Sequence, residues 1–327
     1  MYMQESSAPA PTPGADDKRP IGVALVLAHF PTRQISALKY FLLLLNRLQR
    51  TFEFGFYDPP LDHPLMAVLK PDPVTPIRKR WLPVLLSRSA GELWRAMTGR
   101  GPKQLIPPDR LRKELLPFGS ALSSKAADRI EQFDLAPTFP EQVIVISRVT
   151  LSNYHYLIRE GHVSLLALGE WDRSMAPPSA AEFVQLVLLR AAYSATEKGA
   201  WNTIHLGTRS CAFDFTRNLQ DTRMMTLVGL GVCDECRRAL EEDGFVDSPA
   251  EIRHVAEKLW LGKRNEAGTP ANIMARFGYD LYFTRGFTST FSERVRQLLE
   301  EDAAKEFIKM IYLLVGTALL IWLGLKK

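Results

Sequence analysis

The sequence predicts an α/β fold, a mixed sheet with covering helices, that carries a helical basic insertion and a C-terminal transmembrane helix. Three observations lead there. Apolar runs of strand length alternate with helix-period stretches across residues 21–60 and again across 141–245. Between them, residues 61–140 are basic and rich in proline. Near the far end, Phe307 to Leu325 is 19 residues with a single charge, Lys309.

Residues 1–20 are rich in Pro, Ala and Ser and contain no apolar h-region, so they read as a disordered tail and not as a signal peptide. Ile21 to Phe30 (IGVALVLAHF) is a continuous apolar run, as expected of a strand covered on both faces. Pro31 and Thr32 break it. Gln34 to Gln49 follows with Ile35, Leu38, Phe41, Leu42, Leu45 and Leu48 at helical spacing. Thr51 to Tyr57 alternates as a second strand, ended by Asp58-Pro59-Pro60. The opening is therefore β-α-β.

The next segment, 61–140, is expected to be an insertion of short helices and loops. From Lys70 to Lys113 there are eleven Lys and Arg against three acids, a local excess of +8 beside +5 for the whole chain. Prolines at 71, 73, 76, 83, 102, 107 and 108 cut it up. A solvated face, attraction to an anionic membrane surface and nucleic-acid binding all fit the charge. Nucleic acid has the least support, because no aromatic-basic module or recognition helix accompanies the charge.

Val143 to Ser147 and Val163 to Gly169 are buried-type strands. Ser179 then caps a helix, Ala180 to Ala195, with Glu182 completing a capping box. That helix is apolar over most of its surface and belongs in the core. Residues 246–291 read as a helical and irregular extension, with a helix over Ala250–Trp260, a polar loop from Lys263 to Pro270, and a short strand or turn at Leu281–Phe287. Residues 292–327 read as a charged helix, capped by Ser292, that continues into the membrane anchor. At about 1.5 Å per residue, the run 307–325 is about 28 Å long, close to the hydrocarbon thickness of a bilayer. Lys309, Lys326 and Lys327 suit the two interfaces, as do Tyr312 and Trp322. With no signal peptide, the body is expected in the cytoplasm. The membrane is then one partner, and the helix Ser292 to Lys309 offers a surface for self-association or another protein.

All three cysteines, Cys211, Cys233 and Cys236, lie in one stretch with His205 upstream. The pattern H-x5-C-x21-C-x2-C is of Cys₃His type, and thiolates with imidazole suit zinc. A site with four protein ligands is structural, not catalytic. The alternative is that Cys211 is a buried apolar side chain and His205 caps a neighbouring segment. Scarce, clustered cysteine fits a reducing compartment.

The order of these elements resembles the archaemetzincins, zinc-dependent peptidases of the metzincin clan. There a β-α-β opening leads through a further strand to a long active-site helix with H-E-x-x-H-x-x-G-x-x-H, followed by C-x4-C-M-x17-C-x2-C. Cys211-Ala212-Phe213-Asp214-Phe215 looks like the second cysteine of that motif. Leu219, Asp221 and Cys233-Asp234-Glu235-Cys236 with Leu240 look like its continuation. The resemblance covers residues 21–57 and 143–240 and implies a zincin-like sheet. It departs at the chemistry. With His205 aligned to the third zinc-binding histidine, Ala195 and Gly199 stand where the first two belong, and Thr196 stands for the catalytic glutamate. Leu206 replaces the first cysteine, whose place His205 takes. The resemblance thus implies a retained fold and structural zinc without the peptidase site.

Other catalytic arrangements are thin. His155, Glu160 and His162 cluster in what reads as a loop between strands, and Glu170 and Asp172 form an acidic pair after a strand end. These would serve a rearranged metal-dependent hydrolase. There is no G-x-S-x-G, P-loop or G-x-G-x-x-G. The expected function is a membrane-tethered scaffold, sensor or effector with no catalytic residues.

Overall fold

The computed structural model describes residues 19–30, 32–70, 105–135, 139–169, 178–196, 205, 211–216, 219–228, 231–277 and 315. The elements in order are β1 (Ile21–Ala28), α1 (Thr32–Leu43), α2 (Leu45–Leu48), β2 (Phe52–Phe56), α3 (Pro64–Val68), β3 (Leu105–Ile106) and α4 (Pro108–Gln132). Then come β4 (Gln142–Ser147), β5 (Thr150–Leu151), β6 (Leu157–Glu160), β7 (Val163–Ala167) and α5 (Ala180–Ala195). The last are α6 (Leu219–Val228), α7 (Asp234–Glu242), α8 (Ser248–Glu257), a 3₁₀ turn (Leu259–Leu261) and α9 (Pro270–Arg276).

The fold is α/β with a mixed sheet and covering helices. β1 pairs in parallel with β2 on one side and β4 on the other, and β4 pairs in parallel with β7. β6 runs antiparallel to β7, which gives the order β2-β1-β4-β7-β6. A parallel sheet must be covered on both faces, and the side-chain alternation shows that it is. Val23, Leu25, Ile144, Ile146 and Leu166 join the core beneath α1 and α5. Ala24, Val26, Val143, Val145 and Leu165 join the core beneath α3 and α4. Sixteen residues of α5, from Ser179's cap onward, lie almost wholly inside the first core. The expected capping box is present. Ser179 Oγ accepts from Glu182 N at 3.3 Å, and Ser179 N donates to Glu182 at 2.7 Å.

The described parts of the stretch read as an insertion pack onto the sheet. α3 and α4 form the second covering layer, with Leu111, Leu115, Phe118 and Leu122 buried against the sheet. Pro108, expected to break structure, instead opens the 25-residue α4 at its first turn, where a missing N–H costs nothing. Gly119 lets this helix lie close, since a Cβ there would meet Val163 at 2.6 Å. The strand β6 also differs from expectation. Its polar sequence LIRE carries no clear alternation, yet it forms the edge strand of a tight hairpin that turns through Gly161 at φ +55°. At the opposite edge, the side-chain amides of Asn46 and Gln49 bond to the backbone N–H and C=O of Phe54 and Phe52. Those groups of the edge strand are thereby occupied.

Among the described residues, no helix is long and apolar enough to cross a membrane. Residues 1–18 of the expected tail, 71–104 of the basic stretch, the pair Glu170 and Asp172, the turn or strand at 281–287, the charged helix 292–309 and the rest of the span 307–325 save Val315 all lie outside the described residues.

Candidate metal centre

The helix α7 supplies two of the thiols. Cys233 is its N-cap residue, with extended backbone (φ −69°, ψ 164°), and Cys236 lies in its first turn. The C-x2-C spacing therefore sets both side chains around one helix N-terminus. Cys211 and His205 arrive on bridged backbone. Cys211 pairs with Gly231, two residues before Cys233, and His205 pairs with Asp214. Ala212 N donates to Gly231 O at 2.8 Å and Phe215 N to His205 O at 3.0 Å, which ties the three pieces together.

One donor atom from each of His205, Cys211, Cys233 and Cys236 lies within 4.8 Å of the others. His205 Nε2 is 3.2 Å from Cys233 Sγ and 3.3 Å from Cys236 Sγ. With metal–sulfur bonds of about 2.3 Å and metal–nitrogen bonds of about 2.0 Å, tetrahedral zinc sets sulfur–nitrogen separations of roughly 3.5 Å. The donor set thus has the chemistry and close to the spacing of a closed Cys₃His site, compatible with a metal such as zinc. His205, Cys211 and Cys236 are buried and Cys233 is half-buried. The Cys211 thiol is held down at about 5, chiefly by the Cys236 thiol donating to its sulfur. The same contact pushes Cys236 up. Cys233 N also donates to Cys211 Sγ, at 3.5 Å.

The surroundings bring in residues that the cysteine and histidine spacing does not single out. Asp214, fully buried, lies with Oδ1 2.7 Å from His205 Nδ1 and accepts from Cys211 N at 3.1 Å through Oδ2. Arg190, on α5, donates to the carbonyl of Asp214 and to Thr216 Oγ1 at 2.9 Å. Thr216 also meets Tyr156 Oη at 2.9 Å and Thr222 Oγ1 at 2.8 Å. A lone arginine in a largely apolar helix (AAEFVQLVLLRAAYSA) was the available signal for this network.

The other candidate residues do not converge in this way. His155 precedes β6, its N–H bonded to Asn153 Oδ1 at 3.2 Å. Glu160 ends β6, and His162 stands exposed in the hairpin turn. Ala195 is buried at the end of α5, and Thr196 Oγ1 donates to Tyr193 O at 2.9 Å, so its hydroxyl serves the helix terminus. Gly199 lies outside the described residues. Among the described residues, no other group of three or more His, Cys, Asp or Glu side chains comes together so that it could hold a metal. No family model, curated protein or solved structure matches this chain.

Proposed function

We propose that this chain is a membrane-anchored scaffold, sensor or effector whose zincin-like body lacks a peptidase site and is braced by a structural zinc ion. The observation that carries the proposal is the closed donor set at His205, Cys211, Cys233 and Cys236. Four protein ligands leave no open position on the metal for a substrate or a reacting water. The zinc would supply a cross-link between α7 and the backbone at 205 and 211–216. The zincin-like character is supported by the order of elements. A β-α-β opening, a mixed sheet and a long buried helix precede the cysteine cluster, as the archaemetzincin resemblance implies. Anchorage is supported by the apolar run 307–325, with the body on the cytoplasmic side. The body would then bind a protein or small ligand at the membrane surface, or self-associate through residues 292–309.

Metal analysis of full-length protein in detergent, beside Cys233→Ser, tests the proposal. The expected result is one tightly held zinc that the variant loses. A second, exchangeable metal lost on replacing His155, His162, Glu170 or Asp172 would instead favour a metal-dependent hydrolase with rearranged ligands.

A further inference from the structure

We infer that Asp214 is the positioning residue of the metal centre, acting through the imidazole of His205. This rests on the metal site proposed above. An imidazole can bind a metal through either nitrogen, and the partner of the other nitrogen decides which. Here Nδ1 lies 2.7 Å from Asp214 Oδ1, while Nε2 points at Cys233 and Cys236. A carboxylate at that distance favours the tautomer with its proton on Nδ1, which leaves the Nε2 lone pair facing the thiols. It also makes the ring a stronger donor.

The cost of this arrangement argues for a purpose. Asp214 is fully buried, and a buried carboxylate is unfavourable unless it is paired. Its bond to Cys211 N–H alone would be served by a neutral asparagine. Oδ2 accepts from Cys211 N–H while Oδ1 lies against His205 Nδ1, and of the two side chains only the carboxylate puts an oxygen on both sides. Asparagine would turn its NH₂ toward one of the donors. Arg190 fixes the residue's backbone from α5 by bonding to its carbonyl. The carboxylate is thus aimed by the core helix and not by the metal ligands alone.

Zinc affinity of the full chain in detergent, by competition with a chromophoric zinc chelator, tests the inference in two backgrounds. Asp214→Asn in the otherwise natural chain is expected to weaken zinc about 10–100-fold. Beside His205→Cys, which replaces the imidazole by a fourth thiolate, the same change is expected to alter affinity by no more than about twofold. Equal losses in both backgrounds, or no loss in the first, overturn the inference while leaving the metal site standing. Absence of zinc binding by the natural chain removes the site and the inference together. Nitrogen NMR of ¹⁵N-histidine-labelled, zinc-loaded natural protein gives a check that needs no variant. Protonated Nδ1 with metal-bound Nε2 is expected, and the reverse assignment contradicts it.

Discussion

Cys233 has two roles that substitution can separate. It is the N-cap of α7 and one of the four donors. Serine at this position keeps a side-chain oxygen and is among the best N-cap residues, so Cys233→Ser does not weaken the helix start. What it removes is a thiolate. The variant should therefore melt well below the natural protein when both are purified with zinc, and close to it when both are stripped with chelator. Equal deficits with and without chelator would mean that the thiol acts by packing. Acidification should release the metal from the natural protein, because protons compete for the thiolates and the imidazole. At this scale the sequence was informative about the four donors, since thiol and imidazole spacing is a local pattern. It did not single out Asp214, and it marked Arg190 only as one arginine in a largely apolar helix. Their roles depend on how α5 lies across the 211–216 segment, which no local spacing encodes.

The helix α5 and the sheet beneath it are where local signals and tertiary demands agree. Ser179 and Glu182 form the box that the sequence predicts, and the second Glu182 oxygen meets Lys258 at 3.3 Å. Ser179→Ala should destabilise the protein by about 1 kcal/mol, read from urea unfolding. A change below a few tenths would show that burial alone fixes the helix start. Continuous apolar strands and the helical period of α1 were legible for the same reason, as patterns confined to a few residues. The second covering layer was not legible. α4 begins at a proline and carries charge on its exposed side, and both features resemble an insertion until its buried stripe is placed against β7. β6 escaped because an edge strand needs little hydrophobic alternation. Its place is set by the Gly161 turn and by pairing with β7.

On the scale of the whole molecule, two cores share one sheet, and Tyr193 joins distant pieces of the larger one. Its ring meets Phe52 edge-on at 4.8 Å and both Phe213 and Phe245 at 6.0 Å, and burial pushes its hydroxyl pKa up. Phe213 stands beside the cluster and Phe245 follows α7, so a metal cross-link between those segments would stiffen the body as a unit. The proposed anchor makes a separate prediction. Full-length protein should stay with membranes through high salt and alkali, and deletion of residues 307–325 should free it. Release of the intact chain by salt alone would reduce the membrane association to surface charge, such as that of the basic stretch 70–113. Metal content tests the centre most directly. Full-length protein purified in detergent at neutral pH, without added metal, should carry one zinc per chain through gel filtration. Substitution of any one of Cys211, Cys233 or Cys236 should abolish it. A stably folded natural chain with no bound metal, and no zinc uptake on titration, would contradict the structural-zinc proposal outright.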